Sequence, residues 1–235
     1  MVDLILRGGT LVDGTGAEAR LADVAVHDGA IVAVAPSVEG EAAETIDAAG
    51  MLVTPGFVDI HTHYDGQATW DGELNPSAGH GVTTLVMGNC GVGFAPVHPG
   101  REDWLIQLME GVEDIPGTAL AEGMTWGWET FPEYLDALDG RRFAVDVGTQ
   151  IPHGAVRGYV MGERGARNEP ATAEDIAAMA DIVQEAIEAG ALGFSTSRTI
   201  AHRAIDGEPV PGTYAAEDEL FGIGRAMAHC GASIF

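Results

Sequence analysis

The chain has 235 residues and carries 36 acidic against 11 basic side chains, which gives a formal net charge of −25. This length is sufficient for a large buried core, and a hydrophobic content of 46% is typical of a globular protein. Nucleic acid and anionic membranes would repel so acidic a surface, so we expect neither as a partner. Every basic residue is an arginine, which excludes chemistry that uses a lysine amine or a carboxylated lysine within this chain.

Cysteine content and the amino-terminal sequence indicate the cellular compartment. The two cysteines, Cys90 and Cys230, are too few for a disulfide framework and are not spaced as a redox pair. The first residues lack the basic and apolar regions of a signal peptide, and no run of about 18 apolar residues is present. We therefore expect a soluble, cytoplasmic protein.

Residues 1–52 contain short apolar runs that are separated by glycine-containing turns. Asp13-Gly14 and Asp28-Gly29 are typical of the turns that join two strands of a hairpin. The pattern predicts a small antiparallel sheet at the amino terminus.

Residues 53–235 alternate apolar strand-like runs with helical patterns. The predicted strands start near residues 57, 83, 144, 191 and 232, and helices are predicted over 172–189 and about 216–228. The first of these helices begins with a capping-box-like Thr172-x-x-Asp175. Strand–helix alternation predicts an α/β fold with a parallel sheet covered by helices.

The strand spacing suggests a barrel larger than the chain. Each unit spans about 44 residues, so the eight units of a TIM barrel need on the order of 350 residues. We therefore expect residues 53–235 to form the first four to five units of a TIM-like (β/α)8 barrel, in a fragment of a longer protein. A complete open sheet of five strands is the alternative.

Candidate metal ligands follow the first two strands of this region. His61 and His63 come at the end of the first strand and project to the same side, because side chains alternate along a strand. Cys90 follows the second strand, between Asn89 and Gly91, and thiolate is a strong zinc ligand. The carboxyl ends of adjacent barrel strands converge, so we predict a metal site formed by these three side chains. Two half-buried histidines and an ordinary buried cysteine are the alternative interpretation.

Four segments of the chain carry a family resemblance. TPGFVDIHTHYDGQATWD, HGVTTLVMGNCGVGFAP, TWGWETFPEYLDALDG and PHGAVRGYVMG resemble the D-aminoacylase (N-acyl-D-amino-acid deacylase) branch of the amidohydrolase superfamily. The resemblance implies a metal-dependent hydrolase barrel, flanked by a β-sandwich to which residues 1–52 contribute. It also implies that His61 and His63 serve the first metal position, and that Cys90 replaces the bridging carboxylated lysine of many relatives and holds the tight zinc. The absence of lysine agrees with that replacement.

The implied reaction is zinc-assisted hydrolysis of a linear amide, most simply the deacylation of N-acyl-D-amino acids by metal-activated water. One tight zinc is expected, with a second, weaker metal left open. The family also uses two further histidine ligands and a general acid/base aspartate from later strands, and we expect those residues beyond Phe235. On its own, the 235-residue fragment is expected to be inactive.

Three further residues are candidates for binding a small N-acyl amino-acid substrate. Arg198, after the fourth predicted strand, offers a planar fork that binds carboxylates. His153 ends the third strand at a position that matches the family, and Tyr64 follows the two histidines. A local ion pair for Arg198 and a hydrogen-bonded loop role for His153 are the alternatives.

Other functions stay open at this point. A cyclic-amide hydrolase of the dihydropyrimidinase or hydantoinase kind is the nearest rival, although such enzymes normally use a carboxylated lysine. Cys90 as a catalytic nucleophile with a histidine base is a second alternative. An inactive barrel fragment or pseudoenzyme that acts as an interaction module is the third.

Overall fold

A computed structural model of the protein describes residues 2–231 and 233–235, which separate after Gly56 into two units. The first unit runs to Gly56, and the second is Phe57–Phe235. Among the residues described, none of the helices combines the length and apolar character that crossing a membrane requires.

The first unit is a five-stranded mixed sheet. Its strand order is β3-β2-β1-β4, with β5 paired to β1. The strands are β1 (Val2–Leu11), β2 (Arg20–His27), β3 (Ala30–Ala35), β4 (Ala42–Asp47) and β5 (Leu52–Val53).

The prediction of an antiparallel sheet in this unit is correct for three strands and wrong for two. β1 pairs antiparallel with β2, and β2 with β3, where Asp28 and Gly29 take the positive φ of 50° and 71° that a tight hairpin turn requires. β4 and β5 pair parallel to β1. Parallel strands are joined by a long crossover rather than by a tight turn. The sequence therefore contains no local turn pattern from which the pairing of β4 and β5 with β1 could be predicted.

The second unit contains two parallel sheets. A three-stranded sheet has the order β6-β7-β8, and a short pair joins β9 to β10. The strands are β6 (Phe57–Thr62), β7 (Val82–Met87), β8 (Asp146–Thr149), β9 (Ile151–Pro152) and β10 (Phe194–Ser195). The predicted fifth strand begins at Ala232, which lies outside the described residues, while Ile234 forms a single parallel bridge with Gly193.

Seven α-helices accompany these strands in the described residues of the second unit. They are α1 (Glu102–Glu113), α2 (Gly117–Gly123), α3 (Phe131–Asp139), α4 (His153–Met161), α5 (Glu163–Ala166), α6 (Ala173–Glu188) and α7 (Glu217–His229). The two helices predicted from periodicity, α6 and α7, are present. The predicted capping box of α6 also forms: the Asp175 N–H donates to the Thr172 hydroxyl, and the Thr172 N–H donates to the Asp175 carboxylate.

The core of the second unit lies between the helices and β7. Leu85 and Met87 of β7 are fully buried and belong to one apolar cluster with Leu108 of α1, Phe131 of α3 and Val183 of α6. Burying side chains of this size stabilises the fold by about 1.5–3 kcal/mol each. The core therefore fixes the inner strand whose carboxyl end leads to Cys90.

Two aromatic side chains anchor loops next to the strand ends. The buried Tyr134 hydroxyl donates to the backbone carbonyl of Asp65 at 2.9 Å, and the Trp128 indole N–H donates to the carbonyl of Phe94 at 2.9 Å. A buried polar group that lacks a hydrogen-bond partner destabilises the fold, because it has lost its hydration. The two bonds therefore hold both the aromatic rings and the loops whose carbonyls accept them. Asp65 lies two residues after His63, which links α3 to the predicted metal ligands.

Candidate metal centre

Three ligand-type side chains converge at the carboxyl ends of β6 and β7. One potential ligand atom from each of His61, His63 and Cys90 lies within 4.8 Å of the other two. The parallel register pairs Thr62 of β6 with Met87 of β7, so the two strands end side by side. The predicted convergence of these residues is what the structure shows, and the geometry follows from strand alternation and parallel pairing.

The spacing of these donors fits a tetrahedral zinc ion. The Cys90 Sγ lies 3.9 Å from the His63 Nδ1. Zinc bound to sulfur at about 2.3 Å and to nitrogen at about 2.0–2.1 Å would place those two atoms about 3.6 Å apart. Small side-chain rotations would bring the sulfur and nitrogen atoms from 3.9 Å to that distance. Two imidazoles and one thiolate are also a typical set of zinc ligands. The residues present therefore fit a zinc ion.

The electrostatic surroundings of the cluster are shaped mainly by burial. Burial raises the pKa of the Cys90 thiol to about 12, and the Asp65 and Glu113 carboxylates raise it further. Burial also lowers the pKa of His63 to about 4, with smaller contributions from the charges of His61 and His202. The neutral ring is the metal-binding form of histidine, whereas the thiol must lose its proton when a cation binds.

A glycine-framed loop carries Cys90. Gly88 and Gly91 have φ of 73° and 85°, in the left-handed region that favours glycine. A Cβ atom at Gly91 would lie 2.9 Å from the backbone nitrogen of Ser197, so the chain segments are too close for any side chain there. The loop is thus packed directly against the segment that follows β10.

Two side chains tie this loop to its neighbours. The buried Ser195 hydroxyl donates to the Gly88 carbonyl and accepts the Gly91 N–H at 3.0 Å. On the other side, the Asn89 amide donates to the Ile60 carbonyl at 2.7 Å, next to His61. The loop is therefore held on both sides of Cys90. Sequence reasoning did not identify Ser195, because its contact with Gly91 joins residues 104 positions apart.

Two carboxylates adjoin the cluster, and sequence reasoning assigned a role to neither. The Glu113 Oε1, at the end of α1, lies 3.2 Å from the His63 Nε2. Asp65 is fully buried, and burial, reinforced by the charge of Glu113, raises its pKa to about 7. Its Oδ2 has no hydrogen-bond partner within the described residues. Asp65 is visible in the sequence as a polar residue after the strand, but Glu113 belongs to a helix that the periodicity did not reveal.

The three residues predicted to bind substrate lie in different settings. Tyr64 is mostly buried, and its hydroxyl donates to the Ser77 Oγ at 3.0 Å and accepts the Ser77 N–H at 3.1 Å. Arg198 is exposed and donates through Nη1 to the Ala215 carbonyl at 2.8 Å. Within the part of the chain described, neither these two nor His153 hydrogen-bonds to the three-residue cluster.

His153 belongs to a buried charged network. Its Nδ1 lies 2.8 Å from the Thr196 hydroxyl and its Nε2 lies 2.8 Å from the Glu219 carboxylate. Arg157 donates to both oxygens of the same carboxylate, and the side chains of His153, Arg157 and Glu219 are at most 2% exposed. The network joins α4 to the first turn of α7 and contacts the segment after β10. Its role in substrate binding stays a prediction.

The sequence profile of the amidohydrolase family matches residues 44–233. The chain belongs to the amidohydrolase family. It is 37% identical to the D-aminoacylase of Alcaligenes xylosoxydans xylosoxydans over 194 residues, which cover 83% of this chain and 37% of that enzyme. The resemblance to the D-aminoacylase branch is thereby confirmed.

Solved structures of amidohydrolases share this α/β fold with mixed sheets. A crystal structure of D-aminoacylase matches with a TM-score of 0.79 and 34% identity over 99% of this chain and 44% of its own. The N-acyl-D-glutamate deacylase of Bordetella bronchiseptica, solved with zinc and a phosphonate inhibitor, matches with a TM-score of 0.76 and 34% identity, covering 97% and 43%. The chain thus spans less than half the length of these amidohydrolases.

Proposed function

We propose that this chain contributes the Cys90 metal centre of a zinc-dependent amidohydrolase that removes the acyl group from N-acyl-D-amino acids. The observation that carries the proposal is the cluster of His61, His63 and Cys90, whose ligand atoms lie within 4.8 Å of one another at the strand ends. Relatives with D-aminoacylase and N-acyl-D-glutamate deacylase activity give the substrate class. In this proposal, residues 53–235 are the first units of a (β/α)8 barrel and residues 1–52 are part of a β-sandwich.

The proposed roles follow from the side chains themselves. A bound zinc ion supplies a Lewis acid that polarises an amide carbonyl and lowers the pKa of water. Cys90 binds as a thiolate and gives up its proton on metal binding, while His61 and His63 bind as neutral rings. Ser195 and Asn89 hold the Cys90 loop in place through their backbone contacts.

Substrate binding is proposed for Arg198, His153 and Tyr64. The Arg198 guanidinium is exposed and uses Nη1 to bond the Ala215 carbonyl; within the described residues its other N–H groups make no hydrogen bond, which leaves them for a substrate carboxylate. Tyr64 adjoins His63 in the chain. His153 acts in this proposal through Thr196, by holding the segment that carries Arg198.

The rival functions predict different chemistry at the same residues. A cyclic-amide hydrolase with a carboxylated lysine is disfavoured because the chain contains no lysine. A cysteine nucleophile is disfavoured because burial raises the pKa of the Cys90 thiol to about 12, which leaves almost no thiolate at neutral pH without a metal.

The test is an activity assay on the protein expressed from its complete open reading frame. We expect hydrolysis of N-acetyl-D-amino acids in preference to their L-forms, with no turnover of dihydrouracil or hydantoin. Activity should be lost on chelation and restored by zinc. Cys90→Ala should abolish tight zinc binding and activity, whereas the matched variant Cys230→Ala should keep both, since the Cys230 thiol donates to the Gln184 and Ala226 carbonyls, away from the cluster.

Two results would overturn the proposal. Activity that survives complete removal of metal would favour a thiol hydrolase. Turnover of cyclic amides with no activity on N-acetyl-D-amino acids would favour the dihydropyrimidinase-like reaction.

A further inference from the structure

A long loop that packs against the Cys90 loop is anchored on one buried histidine. It comprises residues 196–216, between β10 and α7, and is called the β10–α7 loop here. At its start, the Thr196 Oγ1 lies 2.8 Å from the His153 Nδ1. A Cβ atom at Gly212 would lie 2.5 Å from the same nitrogen, so the backbone there packs directly against the ring. His153 thus contacts the loop near both of its ends.

The same loop carries Arg198, whose position depends on those two ends. Its Nη1 donates to the Ala215 carbonyl at 2.8 Å, so the side chain joins the beginning of the loop to its end. A displacement of either end would therefore move the guanidinium.

The other ring nitrogen of His153 faces a carboxylate. Its Nε2 lies 2.8 Å from the Glu219 Oε1, and Arg157 donates to both oxygens of that carboxylate. His153 is the first residue of α4, and Glu219 lies in the first turn of α7. Two helices therefore hold the histidine and the carboxylate in contact.

The protonation states of this buried group follow from its charges. Burial raises the pKa of Glu219, but hydrogen bonds from His153 and Arg157 outweigh burial and hold that pKa below its usual value. Burial holds the pKa of His153 below its usual value, against the opposing effect of Glu219. An ionised Glu219 balances Arg157, whereas a cationic His153 would leave an unbalanced charge in the interior. The ring is therefore neutral.

A neutral ring can meet its two partners in only one way. A neutral imidazole carries one N–H, and an ionised carboxylate can only accept a hydrogen bond. The proton therefore belongs on Nε2, where it is donated to Glu219, and Nδ1 accepts the hydrogen bond of the Thr196 hydroxyl. The opposite tautomer would place a lone pair 2.8 Å from the carboxylate oxygen.

We propose that Glu219 is a positioning residue for substrate binding: it holds His153 in the Nε2–H tautomer, and His153 in turn holds the β10–α7 loop that carries Arg198. The inference rests on the proposed function, because it takes Arg198 to bind the substrate carboxylate. Glu219 itself contacts neither metal nor substrate in this arrangement and acts through His153 and Thr196.

The first readout is the tautomer of His153 in the metal-free protein, expressed from its complete open reading frame with ¹⁵N-labelled histidine. Long-range ¹⁵N–¹H correlation spectra report which ring nitrogen carries the proton, and His153→Gln identifies the signal. We expect the Nε2–H form in the unmodified protein and in Thr196→Val, which keeps the Glu219 contact. Glu219→Gln should give a mixture of tautomers, because an amide can either accept from Nε2–H or donate to Nε2. The unmodified protein decides this step even if Glu219→Gln does not fold.

The second readout is the rate at which trypsin cleaves the native loop after Arg198 and Arg203, followed by mass spectrometry. Thr196→Val removes the hydroxyl and keeps the shape of the side chain, so we expect cleavage about 5- to 10-fold faster as the loop opens more often. Thr196→Ser keeps the hydroxyl and should be cleaved like the unmodified protein. Thr199→Val is the matched control from the same loop, since the Thr199 hydroxyl accepts only the Ala201 N–H among the residues described.

The third readout is the KM for N-acetyl-D-amino acids. We expect KM to rise about 5- to 10-fold in Thr196→Val while kcat changes less than about twofold, because a displaced Arg198 weakens substrate binding without altering the chemical step. Thr196→Ser and Thr199→Val should keep the original KM. In an Arg198→Gln background, Thr196→Val should have no further effect, since no guanidinium is left to position.

Each result decides a different step. An Nδ1–H tautomer or a cationic ring in the unmodified protein at pH 7 would overturn the inference, and so would unchanged cleavage and KM in Thr196→Val. A rise in KM that persists in full in the Arg198→Gln background would also overturn it, because the Thr196 hydroxyl would then act on substrate by another route. Absence of activity on N-acetyl-D-amino acids would reject the proposed function itself, whereas the tautomer and the cleavage rates would still test the contacts of His153 with Glu219 and Thr196.

Discussion

A methyl group at Gly91 should disturb the loop that carries Cys90 in two ways that a control variant can separate. Gly91 has a φ of 85°, so alanine there adopts a left-handed backbone at a cost of about 1–2 kcal/mol. The new Cβ atom would also lie 2.9 Å from the Ser197 nitrogen and 3.2 Å from two backbone carbon atoms of Thr196. Backbone atoms cannot rotate away, and such overpacking adds about 1–3 kcal/mol.

Gly100 provides the matched control. Its φ of 84° is nearly identical, but a Cβ atom there would meet nothing within 4 Å. Gly100→Ala should therefore lower the free energy of unfolding by about 1–2 kcal/mol, from the left-handed backbone alone. Gly91→Ala should lower it by about 2–5 kcal/mol, because overpacking is added to the same backbone strain. The entropy that alanine removes from the unfolded chain is the same in both variants and cancels in the comparison.

Urea unfolding of the two variants measures these free energies, and chelator competition measures their zinc affinity. We expect Gly91→Ala to lose more stability than Gly100→Ala and to bind zinc more weakly, because the shifted loop carries Cys90. Equal loss of stability in both variants, with unchanged zinc affinity, would refute the claim that the close approach of backbone at Gly91 fixes the position of Cys90.

Three further predictions concern other contacts of the second unit. Arg157→Leu should lower the free energy of unfolding by about 3–5 kcal/mol, because it leaves the buried Glu219 carboxylate without its cationic partner. Substitution of the exposed Arg225 by leucine should change the free energy of unfolding by less than about 0.5 kcal/mol, and similar values for the two variants would contradict this. The Arg164 guanidinium and the cap bonds hold the pKa of Asp175 below its usual 3.8, so its contribution to stability is present above that pH and is lost as the pH falls further. Asp175→Asn should therefore flatten the fall in stability in acid, and an unchanged slope would refute this. Ser195→Ala should weaken zinc binding while preserving the fold, as judged by circular dichroism, and unchanged affinity would show that the Ser195 bonds do not position Cys90.

Elements with a strong periodic pattern were predictable from the sequence. β6 and β7 start at or within a residue of the predicted positions, and α6 and α7 match because each has an apolar face and clear ends. The third strand is predicted to start near residue 144, but β8 covers Asp146–Thr149. The backbone N–H of Ala144 instead donates to the Gly72 carbonyl at 2.8 Å, a contact that no local pattern encodes.

The convergence of the three candidate ligands was predictable for a related reason. Strand alternation places His61 and His63 on one side, and parallel pairing brings Cys90 alongside, so two local rules suffice. Glu113 and Ser195 follow from neither rule. Their contacts depend on the path of α1 and on the packing of a distant segment against the Cys90 loop, which only the folded chain reveals. The substrate-binding roles of Arg198, His153 and Tyr64 remain predictions.

X-ray absorption spectroscopy at the zinc edge tests the central proposal most directly, because it reports the atoms bound to the metal without requiring activity. For the protein loaded with one zinc ion, we expect one sulfur neighbour at about 2.3 Å together with nitrogen or oxygen neighbours at about 2.0–2.1 Å. The sulfur signal should be absent in Cys90→Ala and unchanged in Cys230→Ala. A spectrum of the unmodified protein that contains only nitrogen and oxygen neighbours would contradict the assignment of Cys90 as a zinc ligand.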